Sequence, residues 1–331
     1  MVEKLNTIRS VHVTANARLH MGFFDLNGSL GRRFGSIGLG LNAPITEIKV
    51  HHFLDKSFLP KEVNFNERAD KITQNFAKVL NIENNFNVEC LQLIPEHAGL
   101  GSGTQLALAI GSAINQLSGL NLTMQQLAAI SQRGARSGIG VGTFKVGGIV
   151  IDGGRGELTE VPPIIAHADF PEDWRVLLIF DEALIGTHSE QEVSAFRTLS
   201  AASLASAEKL SHRILMQALP ALAEQDLISF GQAIRELQIC TGDYFAPVQG
   251  GRYASKSVEQ VLNFLELQAV PCFGQSSWGP TGFAVFVNEQ EANNYQNLLH
   301  TQFKHLPTLS YQLCKGLNRG AIIQPTIQST S

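Results

Sequence analysis

The sequence EHAGLGSGTQLALA, residues 96–109, places a cluster of glycines directly before an apolar helical stripe. Gly99, Gly101 and Gly103 allow the backbone to bend and to turn several N–H groups toward one point. The helix that follows adds the positive end of its dipole, which favours an anion there. The pattern predicts a phosphate-binding loop, although a tight turn without a ligand can have the same local composition.

The first half of the chain alternates between strand and helix patterns around this loop. Short stretches with alternating apolar residues predict strands, and apolar residues at a spacing of three or four predict helices. The predicted strands are 8–15, 45–53, 86–94 and 144–151, and the predicted helices are 65–82, one from the loop to about 117, and one after the Thr123–Gln126 capping box.

The prolines at 162, 163 and 171 mark a predicted domain boundary, and we divide the chain into domains 1–168 and 169–331. The second domain is predicted to contain strands at 174–180, 282–288 and near 308–314, helices at about 190–219, 224–239, 257–267 and 289–303, and a loose polar tail after Gln324. This order indicates an α+β domain with helices on one face of a sheet.

Composition narrows the classes of partner. The formal net charge of −4 is too small and of the wrong sign for general nucleic-acid binding. The four cysteines are far apart, which is typical of buried thiols in a reducing compartment. The N-terminal sequence lacks an apolar signal core, and no apolar run is long enough to cross a bilayer. We therefore expect a cytoplasmic protein with no nucleic-acid or membrane partner.

Three blocks of sequence resemble the GHMP kinase superfamily. PEHAGLGSG (95–103) resembles its phosphate loop, residues 17–44 its N-terminal motif, and FGQSSWGPTGFAVF (273–286) its C-terminal glycine motif. The resemblance implies an α+β, two-domain fold. Its N-terminal domain would be like ribosomal protein S5 domain 2, and its C-terminal domain would be ferredoxin-like.

The chain departs from those kinases at two positions. Where they have a second loop serine that helps to hold Mg²⁺ and phosphate, this chain has Gly103, and where many have a catalytic aspartate it has Gly140, in SGIG. Glycine can neither accept a hydroxyl proton nor orient a nucleophile. Ordinary kinase activity is therefore disfavoured.

The chain resembles one non-kinase branch of the superfamily, the β-ribofuranosylaminobenzene 5′-phosphate synthase family, which departs from the kinases in the same way. Its motifs are matched at Arg18–Pro44, Gly99–Ala109 and Arg136–Gly154, and more loosely at 186–196. The resemblance implies that phosphoribosyl pyrophosphate and 4-aminobenzoate give a C-riboside 5′-phosphate, CO₂ and pyrophosphate, in tetrahydromethanopterin biosynthesis. It also implies Mg²⁺ dependence and a homodimer, with no organic cofactor.

Four residues are candidates for catalysis. Arg18 would clamp a carboxylate or phosphate, with a surface salt bridge as the alternative. His20 would neutralise pyrophosphate or serve only the structure, and Asp25 would bind Mg²⁺ or cap the turn at Asn27. Lys145 would contact a phosphate rather than be a plain surface charge.

The loop, the glycine segment 134–154 and the second glycine motif supply the other candidates. The candidate substrate- and phosphate-binding residues are His97, Gly99, Leu100, Gly101, Ser102, Gly103, Thr104, Gln105, Arg136, Thr143, Gln275, Ser276 and Trp278. Helix capping would equally explain Ser102 and Thr104, and Trp278 would either stack on the aromatic acid or pack in a buried interface.

Several further residues have two interpretations. Arg32 and Arg33 would close over an anion or belong to a solvated loop, and Asp152 is expected to support a turn. His188, Glu190 and Glu192 would bind a metal or the aromatic acid, or be ordinary charges at a helix start. Two other functions stay open on this fold, an ATP-dependent small-molecule kinase and a non-catalytic ligand sensor.

Overall fold

The computed structural model describes residues 9–53, 66–184 and 199–327. Its first sheet has six strands in the order β10-β1-β2-β4-β5, with β3 paired to β2. The strands are β1 (Arg9–Asp25), β2 (Gly35–His52), β3 (Phe86–Gln92), β4 (Ile149–Asp152), β5 (Ile164–Ala168) and β10 (Ile322–Ile327). β1 and β2 form a long antiparallel pair that continues well past the predicted strand ends.

The described part of the first half also contains four helices. They are α1 (Glu67–Leu80), α2 (Ser102–Leu117), α3 (Met124–Ile130) and α4 (Ile139–Val146). The predicted capping box of α3 is present, because the Thr123 hydroxyl and the Gln126 side chain bond each other's backbone N–H groups. Apolar residues of α2, such as Ile110 and Ile114, join Val13 and Ile48 of the sheet in one core cluster. Burial of α2 fixes its first turn, which carries the glycine loop.

The second sheet has four antiparallel strands in the order β7-β8-β6-β9. They are β6 (Arg175–Asp181), β7 (Cys272–Gln275), β8 (Gly282–Phe286) and β9 (Leu309–Lys315). The strand that comes first in sequence, β6, thus lies between the third, β8, and the fourth, β9. This is the ferredoxin-like order, and it confirms the fold predicted for the second half.

The described part of the second half contains five helices, and the longest of them contacts both sheets. They are α5 (Leu204–Arg213), α6 (Leu219–Glu224), α7 (Leu227–Gln249), α8 (Lys256–Leu267) and α9 (Glu289–Gln302), and a π-helical turn, Ile214–Ala218, joins α5 to α6. Phe230 and Ile234 of α7 pack in one apolar cluster with Met21 of the first sheet and Leu178 of the second. The two sheets therefore share a continuous core.

Two expectations about secondary structure were wrong. The predicted strand 144–151 starts too early, because residues up to Val146 belong to α4 and β4 begins at Ile149. The predicted loose tail after Gln324 is a strand as far as Ile327, because β10 pairs with β1. That strand lies in the first sheet although it follows the predicted boundary, and the division at 168/169 stays a prediction.

Three other sequence features can be compared with the fold. Cys90, Cys240, Cys272 and Cys314 are all free thiols. Among the residues that the structure describes, no helix combines the length and the hydrophobicity needed to span a bilayer. The family-like segment 186–196, with His188, Glu190 and Glu192, lies outside the described residues, as does the predicted start of a helix near 190.

Candidate active site

The glycine loop connects β3 to α2 and lies on a cavity of about 550 Å³. Gly99 and Gly101 have φ values of +74° and +84°, a region that favours glycine. Gly101 is the N-cap of α2 and provides no side-chain cap, so capping does not account for Ser102 and Thr104. Both of these residues instead line the cavity. The first turn of α2 is therefore arranged to meet an anion.

Arg18 holds this loop from the neighbouring strand. Its Nη1 donates a hydrogen bond to the carbonyl oxygen of Gly99 at 2.5 Å, and its backbone N–H donates to the carbonyl of Leu100 at 3.0 Å. A Cβ at Gly101 would lie 2.9 Å from Cγ of Arg18. Leu100 is buried and serves through its backbone, whereas Arg18 and His97 line the cavity.

His20 is a buried histidine on the cavity wall. Only 2% of its surface is exposed, and neither ring nitrogen has a hydrogen-bond partner among the residues that the structure describes. Burial, and then the nearby charge of Arg18, lower the pKa of the imidazole to about 3. The ring is therefore neutral at physiological pH. A buried polar group without a partner costs free energy, and a ligand in the cavity would supply the missing bonds.

The second glycine motif reaches the loop from the other half of the protein. The Ser276 hydroxyl donates to the carbonyl of Gly99 at 2.7 Å and accepts from the backbone N–H of His20 at 3.1 Å. The Gln275 side chain accepts from the N–H of Ala254 and donates to the carbonyl of Ser277. Gln275 and Ser276 thus shape the site from outside the cavity lining.

Aromatic side chains form one wall of the cavity. Phe23 and Trp278 line it, and the ring of Phe23 lies 4.6 Å from that of His20, centroid to centroid. Trp278 packs behind on Phe245, with ring centroids 4.4 Å apart. Trp278 is therefore a buried contact that also lines the cavity, and its stacking on an aromatic acid stays a prediction.

Two arginines that the sequence interpretation missed line the cavity beside Gly103. Arg68, from the first turn of α1, pairs its Nη1 with Oε1 of Glu96 at 2.7 Å. Arg133, just after α3, is half-buried beside Arg68. Burial and then the charge of Arg68 lower the pKa of the Arg133 guanidinium, so its charged form is destabilised where it stands. This part of the cavity has an excess of positive charge.

Gly103 and Gly140 fit this arrangement through their lack of a side chain. A Cβ at Gly103 would lie 2.5 Å from a terminal nitrogen of Arg68 and 3.0 Å from one of Arg133. A Cβ at Gly140 would lie 3.0 Å from Cγ2 of Thr104. A side chain at Gly103 would therefore require the end of Arg68 to move, and one at Gly140 would require a small shift of Thr104.

Arg136 lies in segment 134–137, which lines the cavity and is anchored by a buried carboxylate. Asp152 accepts hydrogen bonds from the hydroxyls of Ser36 and Ser137 and from the N–H groups of Gly138 and Gly154. Burial raises the pKa of Asp152 to about 6, against the opposite effect of these bonds. Asp152 thus holds more than the turn that the sequence predicted.

Two predicted binding residues support α4 from the interior. Thr143 is buried, and its hydroxyl donates to the carbonyl of Ile139 at 2.9 Å. The Gln105 amide donates to the carbonyl of Gly140 at 2.9 Å. Neither residue is part of the cavity lining, so both are placed to hold the backbone next to the loop.

Four other candidates lie away from the cavity lining. Asp25 accepts hydrogen bonds from the N–H groups of Asn27 and Gly28, which is the turn interpretation. Arg32 and Arg33 donate to backbone carbonyls and fasten their own loop. Lys145 is exposed in the last turn of α4.

The described residues do not fit a magnesium site built from protein carboxylates. Glu96 is the one carboxylate among those residues that line the cavity, and it is paired with Arg68. Within 9–53, 66–184 and 199–327, no three His, Cys, Asp or Glu side chains are grouped to hold a metal ion. Mg²⁺ dependence stays a prediction from the resemblance, and no step below depends on it.

Comparison with known proteins places the chain in a family. Residues 67–148 match the GHMP kinases N terminal domain. The chain is 36% identical to β-ribofuranosylphenol 5′-phosphate synthase of Archaeoglobus fulgidus over 284 residues, 81% of this chain and 85% of the relative. The chain belongs to the β-ribofuranosylphenol 5′-phosphate synthase family. The synthase of Methanocaldococcus jannaschii is 35% identical, with 81% and 87% covered.

Similarity extends beyond this synthase family within the same fold. The chain is also 30% identical to 4-diphosphocytidyl-2-C-methyl-D-erythritol kinase of a Synechococcus species, over 71% of this chain and 69% of the relative. Homoserine kinase of Cytophaga hutchinsonii has a TM-score of 0.66 at 16% identity, with 96% and 97% of the two chains covered. The fold and the family predicted from the motifs are confirmed.

Proposed function

We propose that this protein joins phosphoribosyl pyrophosphate to an aromatic carboxylate, with loss of CO₂ and pyrophosphate. One observation carries the proposal: a single cavity has an arginine-rich part at the glycine loop and an aromatic wall at Phe23 and Trp278. The first part suits the phosphates of the sugar, and the second suits a flat ring.

The acceptor is an aromatic acid with an electron-donating group para to its carboxylate. The motif resemblance points to 4-aminobenzoate, whereas the relatives are named for a phenol product, which corresponds to 4-hydroxybenzoate. Amino and hydroxyl groups both push electrons to the ring carbon that bears the carboxylate. We propose 4-aminobenzoate as the substrate and 4-hydroxybenzoate as its direct competitor in the test.

The bonds balance without an added oxidant or reductant. The ring carbon that bears the carboxylate attacks C1 of the ribose, and the C1–oxygen bond breaks to release pyrophosphate. The bond to the carboxylate then breaks, its electron pair restores aromaticity, and CO₂ leaves. No strong base is required, because the electrophile that leaves the ring is CO₂ and not a proton.

The demands on the protein are charge stabilisation and positioning. Arg18 would bind an anionic group of the substrates beside the loop, where its guanidinium is already fixed to Gly99. His20 would hydrogen-bond the bound substrates as a neutral imidazole, between Arg18 and the ring of Phe23. The wall of Phe23 and Trp278 would keep water from the cationic C1 centre.

The direct test uses purified protein, phosphoribosyl pyrophosphate and carboxyl-labelled 4-aminobenzoate, with 4-hydroxybenzoate in parallel. We expect labelled CO₂ and a riboside phosphate in equal amounts. We also expect a higher kcat/KM for 4-aminobenzoate than for 4-hydroxybenzoate. Assays with and without Mg²⁺ test the predicted metal dependence. Absence of CO₂ release with both acids in both conditions would rule out the proposal.

A small-molecule kinase is the second candidate, because a curated kinase is 30% identical to this chain. The absence of a loop serine at position 103 and of a catalytic acid at position 140 argues against it. ADP formation from ATP with a small alcohol would support the kinase. Binding of phosphoribosyl pyrophosphate without turnover would support a ligand sensor. The pathway assignment to tetrahydromethanopterin biosynthesis depends on the synthase outcome.

A further inference from the structure

Arg68 and Arg133 converge on one side of the glycine loop. Their terminal nitrogens lie 2.5 Å and 3.0 Å from the position that a Gly103 Cβ would occupy. Arg68 has one carboxylate partner, Glu96, and Arg133 forms no ion pair with a carboxylate of the described residues. Two like charges held together in a cleft are costly unless an anion joins them.

The neighbours of the loop glycines show where this pair lies relative to the aromatic wall. Gly99 is packed against Ser276 and Gly279, on either side of Trp278, and Gly101 is packed against Arg18. Gly103 is packed against the two arginines. The loop therefore runs from the aromatic wall at one end to the arginine pair at the other.

We infer that Arg68 and Arg133 bind the pyrophosphate group of the sugar substrate and stabilise it as it leaves. This inference rests on the proposed function. Pyrophosphate is on the α face of phosphoribosyl pyrophosphate, and the relatives are named for a β-ribofuranosyl product. The incoming ring carbon and the leaving oxygen then occupy opposite faces of the sugar. The group held at the arginine end of the loop, away from the aromatic wall, is then the pyrophosphate.

The charge requirement points the same way. Negative charge grows on the leaving oxygen as its bond to C1 breaks, and fixed donors at that point stabilise the transition state. Guanidinium groups bind phosphate oxygens with two parallel N–H donors. The start of α2, at Ser102 and Gly103, adds N–H groups and the positive end of its dipole. Glu96 positions Arg68 and leaves Arg133 available to the ligand.

The inference is tested by calorimetric titration of inorganic pyrophosphate and, separately, ribose 5-phosphate, with and without Mg²⁺. The variants are Arg68→Gln and Arg133→Gln, and the matched control is Lys71→Gln, an exposed cation one turn farther along α1. In the arginine variants we expect the pyrophosphate dissociation constant to rise at least about tenfold, equal to about 1.4 kcal/mol. Ribose 5-phosphate binding should change less than about threefold, and Lys71→Gln should bind both ligands normally.

A further variant, Gly103→Ala, displaces the arginine side chains without removing their charge. We expect it to weaken pyrophosphate binding at least about threefold, because its Cβ would displace Arg68. Its thermal unfolding should stay near that of the wild type, since alanine favours the helix start. Weaker pyrophosphate binding with unchanged thermal unfolding would show that the arginines bind the ligand and do not only stabilise the fold.

Three results would overturn the inference: no pyrophosphate binding by the wild type, normal binding by both arginine variants, or an equal or larger loss of ribose 5-phosphate binding. The proposed function is judged separately, by release of labelled CO₂. Arginine-dependent pyrophosphate binding without CO₂ release would contradict the proposed function alone. CO₂ release with arginine-independent pyrophosphate binding would contradict the inference alone.

Discussion

The guanidinium of Arg18 donates a hydrogen bond to the carbonyl oxygen of Gly99 across 2.5 Å. One residue lies in β1 and the other in the glycine loop, so the bond joins the sheet to the phosphate site. The same carbonyl accepts the hydroxyl of Ser276 at 2.7 Å. The conformation of the loop is therefore set by both halves of the protein before any ligand binds.

Replacing Arg18 tests its role beside the loop. We expect Arg18→Ala to lower kcat/KM at least about tenfold, or about 1.4 kcal/mol of transition-state binding, because an anion-binding group and a loop contact are both lost. Lys145→Ala is the matched control, since Lys145 is an exposed cation outside the cavity lining. Steady-state kinetics of both variants check this. Near-normal kinetics for Arg18→Ala would remove Arg18 from the site.

The buried imidazole of His20 should make stability depend on pH. Its pKa in the folded protein is about 3, below the ordinary histidine value of 6.5, so the unfolded chain binds more protons between these pH values. The stability that neutral His20 contributes is complete above pH 6.5 and is lost as the pH falls toward about 3. Between pH 7 and about pH 5 the loss should approach about 2 kcal/mol.

Urea unfolding of the wild type and His20→Leu at both pH values measures this effect. Leucine fills similar space and cannot titrate, so the variant should lose less free energy of unfolding on acidification, by about 2 kcal/mol. The comparison cancels the opposite contribution of Asp152, whose raised pKa is present in both proteins. Equal losses in the two proteins would show that His20 is not held neutral by burial.

Removal of the Ser276 hydroxyl should loosen the contact between the two halves. Ser276→Ala leaves the N–H of His20 without its buried acceptor and the carbonyl of Gly99 with one donor fewer. We expect about 1–3 kcal/mol lower free energy of unfolding, together with a lower kcat/KM. Ser29→Ala, at an exposed loop position, is the control. Unchanged stability in Ser276→Ala would show that this bridge is dispensable.

Restoring an acid at position 140 should not create a kinase. The side chain of Gly140→Asp would collide with Thr104 and disturb the packing of α4 on the loop. We expect lower thermal stability, lower transferase activity and no ADP formation from ATP with small alcohols. A folded Gly140→Asp protein that phosphorylates an alcohol would show that this protein lacks only a catalytic base for kinase activity.

Much of the fold was predictable because its motifs are local in sequence. The glycine loop with the start of its helix, at 96–109, and the helix after the Thr123 cap follow from residue spacing alone, and the structure contains both. The strand β7 was missed because it has four residues, one of them Gly274, and lies beside a glycine-rich turn. The helix α4 was missed because Gly140 and Gly142 hide its helical pattern.

The site was predictable only where its residues lie in the motifs. Arg18, His20, His97 and Trp278 were found in this way, and all four line the cavity. Arg68 was missed because it comes from the first turn of an ordinary amphipathic helix, 35 positions before Gly103. Arg133 precedes the recognised segment by three residues, and a polar turn gives no sign of burial. Their proximity to Gly103 results from tertiary packing.

The central claim is that the cavity binds a sugar diphosphate as an electrophile. A crystal structure of the protein with phosphoribosyl pyrophosphate tests it most directly. We expect the pyrophosphate within hydrogen-bonding distance of residues 102–104 and the two arginines, with C1 facing Phe23 and Trp278. Phosphoribosyl pyrophosphate bound away from residues 97–104, with ATP seated in the cavity instead, would contradict the account.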